Sequence, residues 1–223
     1  MAMGWVAIVP AAGSGTRLGR GEPKALVTLG GRTLLAHTLE VLRAVGFERI
    51  VVAVPAERVA AIQAVLAPYP SETAVAGGAT RAASVRLAFA SLDPRAGDVV
   101  CIHDAARPFV SAAEIAEVMR SAERGGAAVA ATPIVDTVKR VEGGRVAGTV
   151  ERAGLWAAAT PQAFRGDLLR QALSAGGEAT DESALCERLG IPVAVAAVSR
   201  LSFKVTTAED LELAEAILAR RSA

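Results

Sequence analysis

The residues best suited to chemistry stand near the start of the chain, in a loop rich in glycine and positive charge. An apolar segment, residues 5–9, runs directly into the sequence PAAGSGTRLGRGEPKAL. A strand that ends in such a loop exposes backbone N–H groups and cations, which together bind a chain of phosphates. Gly13 and Gly15 permit the unusual dihedrals of a tight wrap, and Lys24 adds a compact ammonium. The loop predicts a nucleoside triphosphate site.

Lysine is rare in this sequence, and the positions of the lysines support the interpretation of the loop as a phosphate-binding site. The chain has 24 Lys and Arg residues, of which only Lys24, Lys139 and Lys204 are lysines. Taken alone, this scarcity is explained equally well by a compositional bias. The functional interpretation is that an ammonium fits where a planar guanidinium would not, and it gains support because Lys24 and Lys204 both fall inside motifs.

Two familiar phosphate loops do not match this segment. A Walker A loop needs four residues between its glycines and then Lys, whereas only three separate Gly15 from Gly19, and Arg20 follows. A dinucleotide fingerprint needs a third glycine where Leu18 stands. A dinucleotide-dependent oxidoreductase is therefore a weak alternative.

Length, charge and cysteine content narrow the protein class. A chain of 223 residues with net charge +1 predicts one domain, 1–223, with no nucleic-acid partner and no anionic membrane partner. Cys101 and Cys186 are isolated, which indicates buried free thiols and a reducing compartment. Because the sequence shows neither a signal peptide nor an apolar run of about 18 residues, we expect a cytoplasmic protein without a membrane partner.

Apolar runs alternate with helix-length segments, which predicts an α/β fold with a mostly parallel sheet covered by helices on both faces. The predicted strands are 5–9, 49–54, 73–76, 98–102, 127–132 and 193–198. The predicted helices are 33–45, 56–66, 80–91, 111–124, 165–174, 181–189 and 207–220. Capping boxes are expected at Ser111 and Thr207, and Gly46 fits a helix end.

Residues 134–156 interrupt the alternation of strands and helices. Two alternating stretches flank a Glu-Gly-Gly turn, which predicts a β-hairpin. Because an isolated hairpin is marginally stable in water, we expect it to project as an arm and pack against a second copy of the chain. The alternative is an edge hairpin on the main sheet.

Two further segments carry polar groups where an α/β fold binds ligands. The sequence GGATRAASV, from Gly77, places a tight turn at a helix start, where backbone groups and Ser84 could contact a base. The sequence HDAARP follows an apolar segment at the carboxyl end of a strand. Asp104 there could hold a metal, a ribose or a substrate hydroxyl, and Arg107 could pair with a phosphate.

The loop AAGxGTRLG followed by PKAL resembles nucleotidyltransferases of the nucleotide-sugar pyrophosphorylase type. Together with HDAARP, the hairpin, TPQ at 160–162, TDE at 180–182 and FKVT at 203–206, it resembles the 2-C-methyl-D-erythritol 4-phosphate cytidylyltransferase family. The likeness extends from residue 6 to about residue 213. It implies a Rossmann-like twisted sheet of the nucleotide-diphospho-sugar transferase type.

The resemblance also implies roles for particular residues. Ala11, Ala12, Gly13 and Gly15 would wrap the CTP phosphates, with Arg17 and Lys24 stabilising charge at the α-phosphate. Gly78, Ala79, Ser84 and Asp104 would contact the nucleoside. The substrate site would comprise Asp104, Arg107, Thr160 and Lys204, with Thr137 and Arg152 reaching in from the arm of a homodimer partner.

The reaction implied is attack of a substrate phosphate on the α-phosphorus of CTP, with loss of pyrophosphate. Mg²⁺ would bind mainly through the CTP phosphates, and Asp104 is the candidate for helping to place it. Other cytidylyltransferases acting on ribitol or glycerol phosphate, and a guanylyltransferase of the molybdenum cofactor, are the nearest alternatives. A non-catalytic sensor of nucleotides or sugar phosphates is a further one.

Overall fold

The apolar segments form one extended sheet with helices between its strands. The protein is described here by a computed structural model covering residues 3–13, 15, 23–176 and 179–222. The strands are β1 (Trp5–Pro10), β2 (Thr28–Leu29), β3 (Arg32–Thr33), β4 (Arg49–Val54), β5 (Glu72–Ala76), β6 (Val99–Ile102), β7 (Ala127–Pro133), β8 (Val138–Glu142), β9 (Arg145–Val150), β10 (Trp156–Arg165) and β11 (Ala194–Ala197). The helices are α1 (Leu34–Val45), α2 (Val59–Leu66), α3 (Arg81–Leu92), α4 (Ala112–Gly125), α5 (Gly166–Ala175), α6 (Glu182–Arg188) and α7 (Ala208–Ser222).

The main sheet is mostly parallel, as the sequence predicts. Within the described ranges seven strands follow the order β11-β7-β10-β6-β1-β4-β5. Only β10 runs antiparallel to its neighbours β6 and β7. The sequence does not predict a strand at 156–165, where a central strand has to contain Pro161. The strand accommodates it at an irregularity, where the pairing with β7 shifts register between Ala158 and Gln162.

Helices cover both faces of the sheet, which confirms the predicted fold class. Alternate side chains of β1 point to opposite faces, as the period of a strand requires. Ala7 and Val9 pack with α1, α2 and α4, whereas Val6 and Ile8 pack with α3, α5 and α6. Strands buried on both sides need apolar residues at every position, which explains their uniform composition.

A third and smaller apolar cluster joins distant parts of the chain. It contains Val27 and Leu29 near the β2–β3 hairpin, Phe109 after β6, and Val205 and Leu211 around the start of α7. The hairpin is also tied to α7 because the Gly30 amide donates to Glu215 Oε1 at 3.0 Å. This cluster brings residues next to Lys24 and Lys204 together, although about 180 positions separate the two lysines.

The predicted helix ends are formed as expected. Ser111 accepts from the Glu114 amide while the Glu114 side chain accepts from the Ser111 amide, which completes a capping box. Thr207 and Asp210 make the same reciprocal pair at the start of α7, at 2.9 and 3.3 Å. Gly46 ends α1 with φ of 87°, a left-handed conformation that favours glycine.

The segment 134–156 contains the predicted hairpin. Strands β8 and β9 pair antiparallel and form a separate two-stranded sheet, so the alternative of an edge hairpin on the main sheet is wrong. Val141 and Val146 are 57% and 64% exposed. The hairpin therefore projects with apolar side chains in solvent, whereas its role in dimerisation stays a prediction.

No helix in the described part of the chain combines the length and the apolar character needed to cross a bilayer. The cytoplasmic location predicted from the sequence stays a prediction.

We expect the third apolar cluster to contribute measurably to stability. Leu211 is 5% exposed and Leu213, two positions later on α7, is 52% exposed. Leu211→Ala should reduce the free energy of unfolding by about 2–5 kcal/mol because it leaves a cavity. Leu213→Ala should change it by less than about 0.5 kcal/mol. Denaturant unfolding measures both, and equal losses would contradict the assignment of Leu211 to the cluster.

Candidate active site

A cleft of about 560 Å³ lies where the first loop, the turn before α3 and the loop after β6 converge. These segments follow the carboxyl ends of parallel strands, where open α/β sheets bind ligands. The predicted site residues that line it are Ala11, Ala12, Gly13, Lys24, Gly78, Ala79, Ser84, Asp104 and Lys204. The structure therefore brings together most of the residues that the sequence suggested for the nucleotide.

The other described residues that the sequence suggested do not line this cleft. Thr160 is buried and does not line the cleft, and Arg107 lines a second cavity of about 300 Å³ that shares Lys204 with it. Thr137 and Arg152 are exposed beside the hairpin. Arg152 donates to the Val135 carbonyl of its own arm. Gly15 is described, with φ of 71°, but does not line the cleft. Arg17 lies outside the described residues.

Two lysines from opposite ends of the chain face the cleft together. Lys24 Nζ donates to Thr206 Oγ1 at 3.3 Å, and this hydroxyl donates to the Lys204 carbonyl at 3.2 Å. The Lys24 amide also donates to the Gly13 carbonyl at 3.1 Å, which ties the lysine to the first loop. Because one hydroxyl links the two segments, both ammonium groups can act on reactants held in a single cleft.

Asp104 is the buried anion around which the cations gather. Its Oδ2 lies 2.7 Å from Lys204 Nζ and 3.7 Å from Arg107 Nε, and its Oδ1 accepts from Arg81 Nε at 3.1 Å. Burial alone would raise the pKa of this carboxyl, but the Arg81 and Lys204 cations hold it well below its usual range. Asp104 therefore stays ionised and anchors these side chains.

This environment disfavours the predicted role of Asp104 as a metal ligand. Both of its oxygens face cations, which would repel a divalent ion approaching the carboxylate. Among the residues described, no group of three or more His, Cys, Asp or Glu side chains is placed to hold a metal. The donor groups of the described residues thus do not form a cage for Mg²⁺.

Sequence reasoning missed Arg81 and Glu182, although both stand in motifs it singled out. Arg81 lines the cleft, and its Nη1 donates to both oxygens of Glu182 at 2.9 and 2.8 Å. A usable signal was present, because Arg81 is the first residue of α3 and a cation is unfavourable at a helix N-terminus. Such a placement indicates a specific acidic partner elsewhere in the fold.

The turn before α3 is shaped by close packing and by Ser84. A Cβ on Gly77 would lie 2.5 Å from the Ala12 Cβ, so glycine lets this turn approach the first loop. Ser84 Oγ donates to the Thr80 carbonyl at 2.9 Å and accepts from the Gly78 amide at 3.1 Å. Ser84 thus holds the turn in place, and its contact with a base stays a prediction.

Thr160 supports Asp104 from behind the cleft. Its Oγ1 accepts from the Asp104 amide at 3.0 Å and lies 3.1 Å from His103 Nδ1. Burial lowers the pKa of His103 to about 4, so the ring is neutral near pH 7. His103 and Thr160 are therefore placed to shape the turn that carries Asp104.

Comparison with known proteins gives a consistent result along the chain. The family model of the 2-C-methyl-D-erythritol 4-phosphate cytidylyltransferases (IspD) matches residues 5–220. The protein of that name from Nocardia farcinica is 47% identical, over 98% of this chain and 95% of its own. The one from Saccharopolyspora erythraea is 46% identical, over 97% of this chain and 100% of its own. The crystal structure of the enzyme from Thermus thermophilus superposes with a TM-score of 0.79 at 36% identity, covering 98% of this chain and 100% of the other.

The buried imidazole predicts a specific loss of stability in acid. The pKa of His103 is about 4 in the folded chain and about 6.5 when unfolded. The folded state therefore binds fewer protons in this window, and the free energy of unfolding should fall as the pH drops from about 6.5 towards 4, by about 3 kcal/mol in total. Denaturant unfolding at a series of pH values measures the slope.

Carboxylates also titrate between about pH 6.5 and 4, so a control variant is needed. His103→Gln provides it, because it keeps the same carboxylates as the wild-type protein and lacks only the imidazole. We expect a shallower acid dependence of the free energy of unfolding in this variant. Identical slopes in the two proteins would show that His103 does not titrate in this window.

Proposed function

We propose that the 560 Å³ cleft is where the two substrates of this enzyme meet. The chain belongs to the 2-C-methyl-D-erythritol 4-phosphate cytidylyltransferase family. The enzyme transfers CMP from CTP to 2-C-methyl-D-erythritol 4-phosphate and forms 4-diphosphocytidyl-2-C-methyl-D-erythritol and pyrophosphate. One observation carries the assignment. Lys24 and Lys204 line the same cleft and are bridged by Thr206.

The reaction needs positioned positive charge more than it needs a base. A phosphate oxygen of the substrate forms a bond to the α-phosphorus of CTP, and the bond from that phosphorus to the bridging oxygen of pyrophosphate breaks. The second pKa of a phosphate monoester is about 6, so the nucleophile is ionised at neutral pH. The barrier arises from bringing two anions together, which fixed cations reduce.

The nucleotide occupies the half of the cleft formed by the first loop and the turn before α3, with its triphosphate against the loop. Backbone groups of Ala11, Ala12 and Gly13 face it, with Gly15 continuing the loop. Lys24, together with Arg17 as the family resemblance implies, stabilises charge on the α-phosphate. The base and ribose lie against Gly78, Ala79 and Ser84.

The substrate phosphate and its polyol occupy the other half, near Lys204. Asp104 holds Lys204 at 2.7 Å while Arg107, which donates to the Ser202 carbonyl at 2.9 Å, steadies the segment that carries this lysine. Asp104 accepts from substrate hydroxyls in this proposal, and Thr160 acts by fixing its backbone. Lys204 holds the attacking phosphate in line with the α-phosphorus.

Magnesium enters this proposal only with the nucleotide. Because Mg²⁺ retains several waters and binds readily through substrate phosphates, it needs no cage of protein carboxylates. The ion would neutralise the triphosphate, and the protein residues described above would orient the two anions around it. Asp104 contributes no metal ligand here, since its oxygens face Arg81 and Lys204.

The arm completes the site in a homodimer. Its apolar side chains, including Val141 and Val146, are exposed in the single chain, which favours packing against another protomer. Thr137 and Arg152 lie outside their own chain's cleft, so each arm would bring them to the partner's substrate site. Arg152 would then hold the substrate phosphate opposite Lys204.

We expect Lys24→Ala to lower turnover by about 10²–10³-fold, the typical cost of removing one positioned donor, while leaving the fold intact. Release of pyrophosphate from CTP and the methylerythritol phosphate measures the loss, and the melting temperature checks the fold. Arg120→Ala, which removes an exposed guanidinium on α4, is the control. Near-normal turnover of Lys24→Ala would remove this lysine from the mechanism.

Mixing two inactive variants tests the shared site. Lys24→Ala damages a cleft and Arg152→Ala damages an arm, so each homodimer should be inactive. In a mixed dimer one site combines an intact cleft with an intact arm. Random exchange of protomers should restore about a quarter of wild-type activity. If no activity returns although mixed dimers form, Arg152 does not act across the interface.

A further inference from the structure

We propose that Arg81 and Glu182 form a positioning pair that fixes the Asp104 carboxylate against Lys204. The pair would thereby set where the substrate phosphate is held. The inference rests on the proposed function of the Lys204 half of the cleft. It assigns a role in the reaction to two residues from separate helices, α3 and α6.

The geometry forms a continuous chain of charges. Glu182, with a side chain only 2% exposed, accepts from Arg81 Nη1 through both oxygens. Arg81 Nε donates to Asp104 Oδ1 at 3.1 Å, and Asp104 Oδ2 contacts Lys204 Nζ at 2.7 Å. Glu182 is therefore linked to Lys204 through the side chains of Arg81 and Asp104.

Each link constrains the next. With Oδ1 held by Arg81, the carboxylate plane of Asp104 cannot rotate freely, and Oδ2 stays directed at Lys204. Glu182 keeps Arg81 on the carboxylate by accepting from its Nη1 through both oxygens. With three cations and two carboxylates, the cluster of Arg81, Arg107, Lys204, Asp104 and Glu182 retains one positive charge for the substrate.

A second Arg–Glu pair in the same protein shows what a purely structural ion pair looks like. Arg43 Nε and Nη2 bind the two oxygens of Glu72 side by side at 2.6 and 2.7 Å. The side chains of Arg43 and Glu72 are 27% and 1% exposed, against 28% and 2% for Arg81 and Glu182. Neither Arg43 nor Glu72 lines the cleft.

The two arginines differ in how they use their donors. Arg43 donates from Nε and Nη2 to the two oxygens of one carboxylate, the parallel bidentate geometry that is most favourable for an ion pair. Arg81 divides its donors between Glu182 and Asp104, and its buried Nη2 has no hydrogen-bond partner in the part of the chain that the structure describes. Because its donors are divided in this way, Arg81 leaves one nitrogen without a hydrogen bond to the described residues but links Glu182 to Asp104 in the cleft. A positioning role requires such a link.

The matched pairs provide the experiment. Glu182→Gln and Glu72→Gln are isosteric changes at equally buried positions, so their effects on the melting temperature should be similar. Steady-state kinetics with CTP and the methylerythritol phosphate then separate kcat from KM. In Glu182→Gln we expect kcat/KM for the sugar phosphate to fall by about 10²-fold, the cost of a small misplacement of a reacting group.

The same loss should be absent in Glu72→Gln. The dissociation constant for CTP, measured without the second substrate, should change by no more than about threefold in Glu182→Gln, because the pair acts on the Lys204 half. Arg81→Lys, which keeps the charge but not the guanidinium geometry, should show the same pattern. It also serves as the test if Glu182→Gln does not fold.

Two results would overturn the inference. One is a loss of kcat/KM in Glu182→Gln that is no larger than in Glu72→Gln. The other is a loss of affinity for CTP in Glu182→Gln that is as large as its loss of kcat/KM. A wild-type protein that releases no pyrophosphate from these substrates would instead contradict the proposed function. The two failures are therefore distinguishable.

Discussion

Mutual repulsion among cations is the constraint around which the site is built. Lys24, Lys204, Arg81 and Arg107 lie in or beside the cleft, where burial makes like charges costly. Asp104 relieves this repulsion because one buried carboxylate contacts three of the four cations. The lowered pKa of Asp104 is the consequence, and it keeps the anchor ionised near neutral pH.

Asp104 can contact its cationic partners only because separate elements of the fold bring them to the cleft. Lys24 and Lys204 flank the third apolar cluster, in which Val27 and Val205 are both buried. Arg81 begins α3, whose N-terminus reaches the cleft. Packing of apolar side chains outside the cleft thus determines the separation of the charged groups that line it. Hydrogen bonds at the start of α7 add to this, because Asp210 Oδ2 accepts from the Thr206 amide at 2.8 Å while the Thr206 hydroxyl links Lys24 Nζ to the Lys204 carbonyl.

Much of the fold could be predicted because its signals are local. Uniformly apolar strands, capping residues such as Ser111 and Thr207, and the turn of the hairpin are encoded within a few positions of one another. Strand β10 was missed for the opposite reason. Its place between β6 and β7 depends on pairing with both neighbours, while its own residues, including Pro161, favour another conformation.

The sequence by itself determined which residue types are available: a glycine-rich loop, rare lysines and an acidic residue after a strand, whose order along the chain also indicated the family. Tertiary structure alone decided which of them meet. It placed Thr160 behind Asp104, joined Glu182 to Arg81 across about 100 positions of sequence, and left Arg152 outside the lining of its own cleft. Side-chain contacts between distant segments depend on how helices pack on the sheet, and no local pattern of residues specifies that packing.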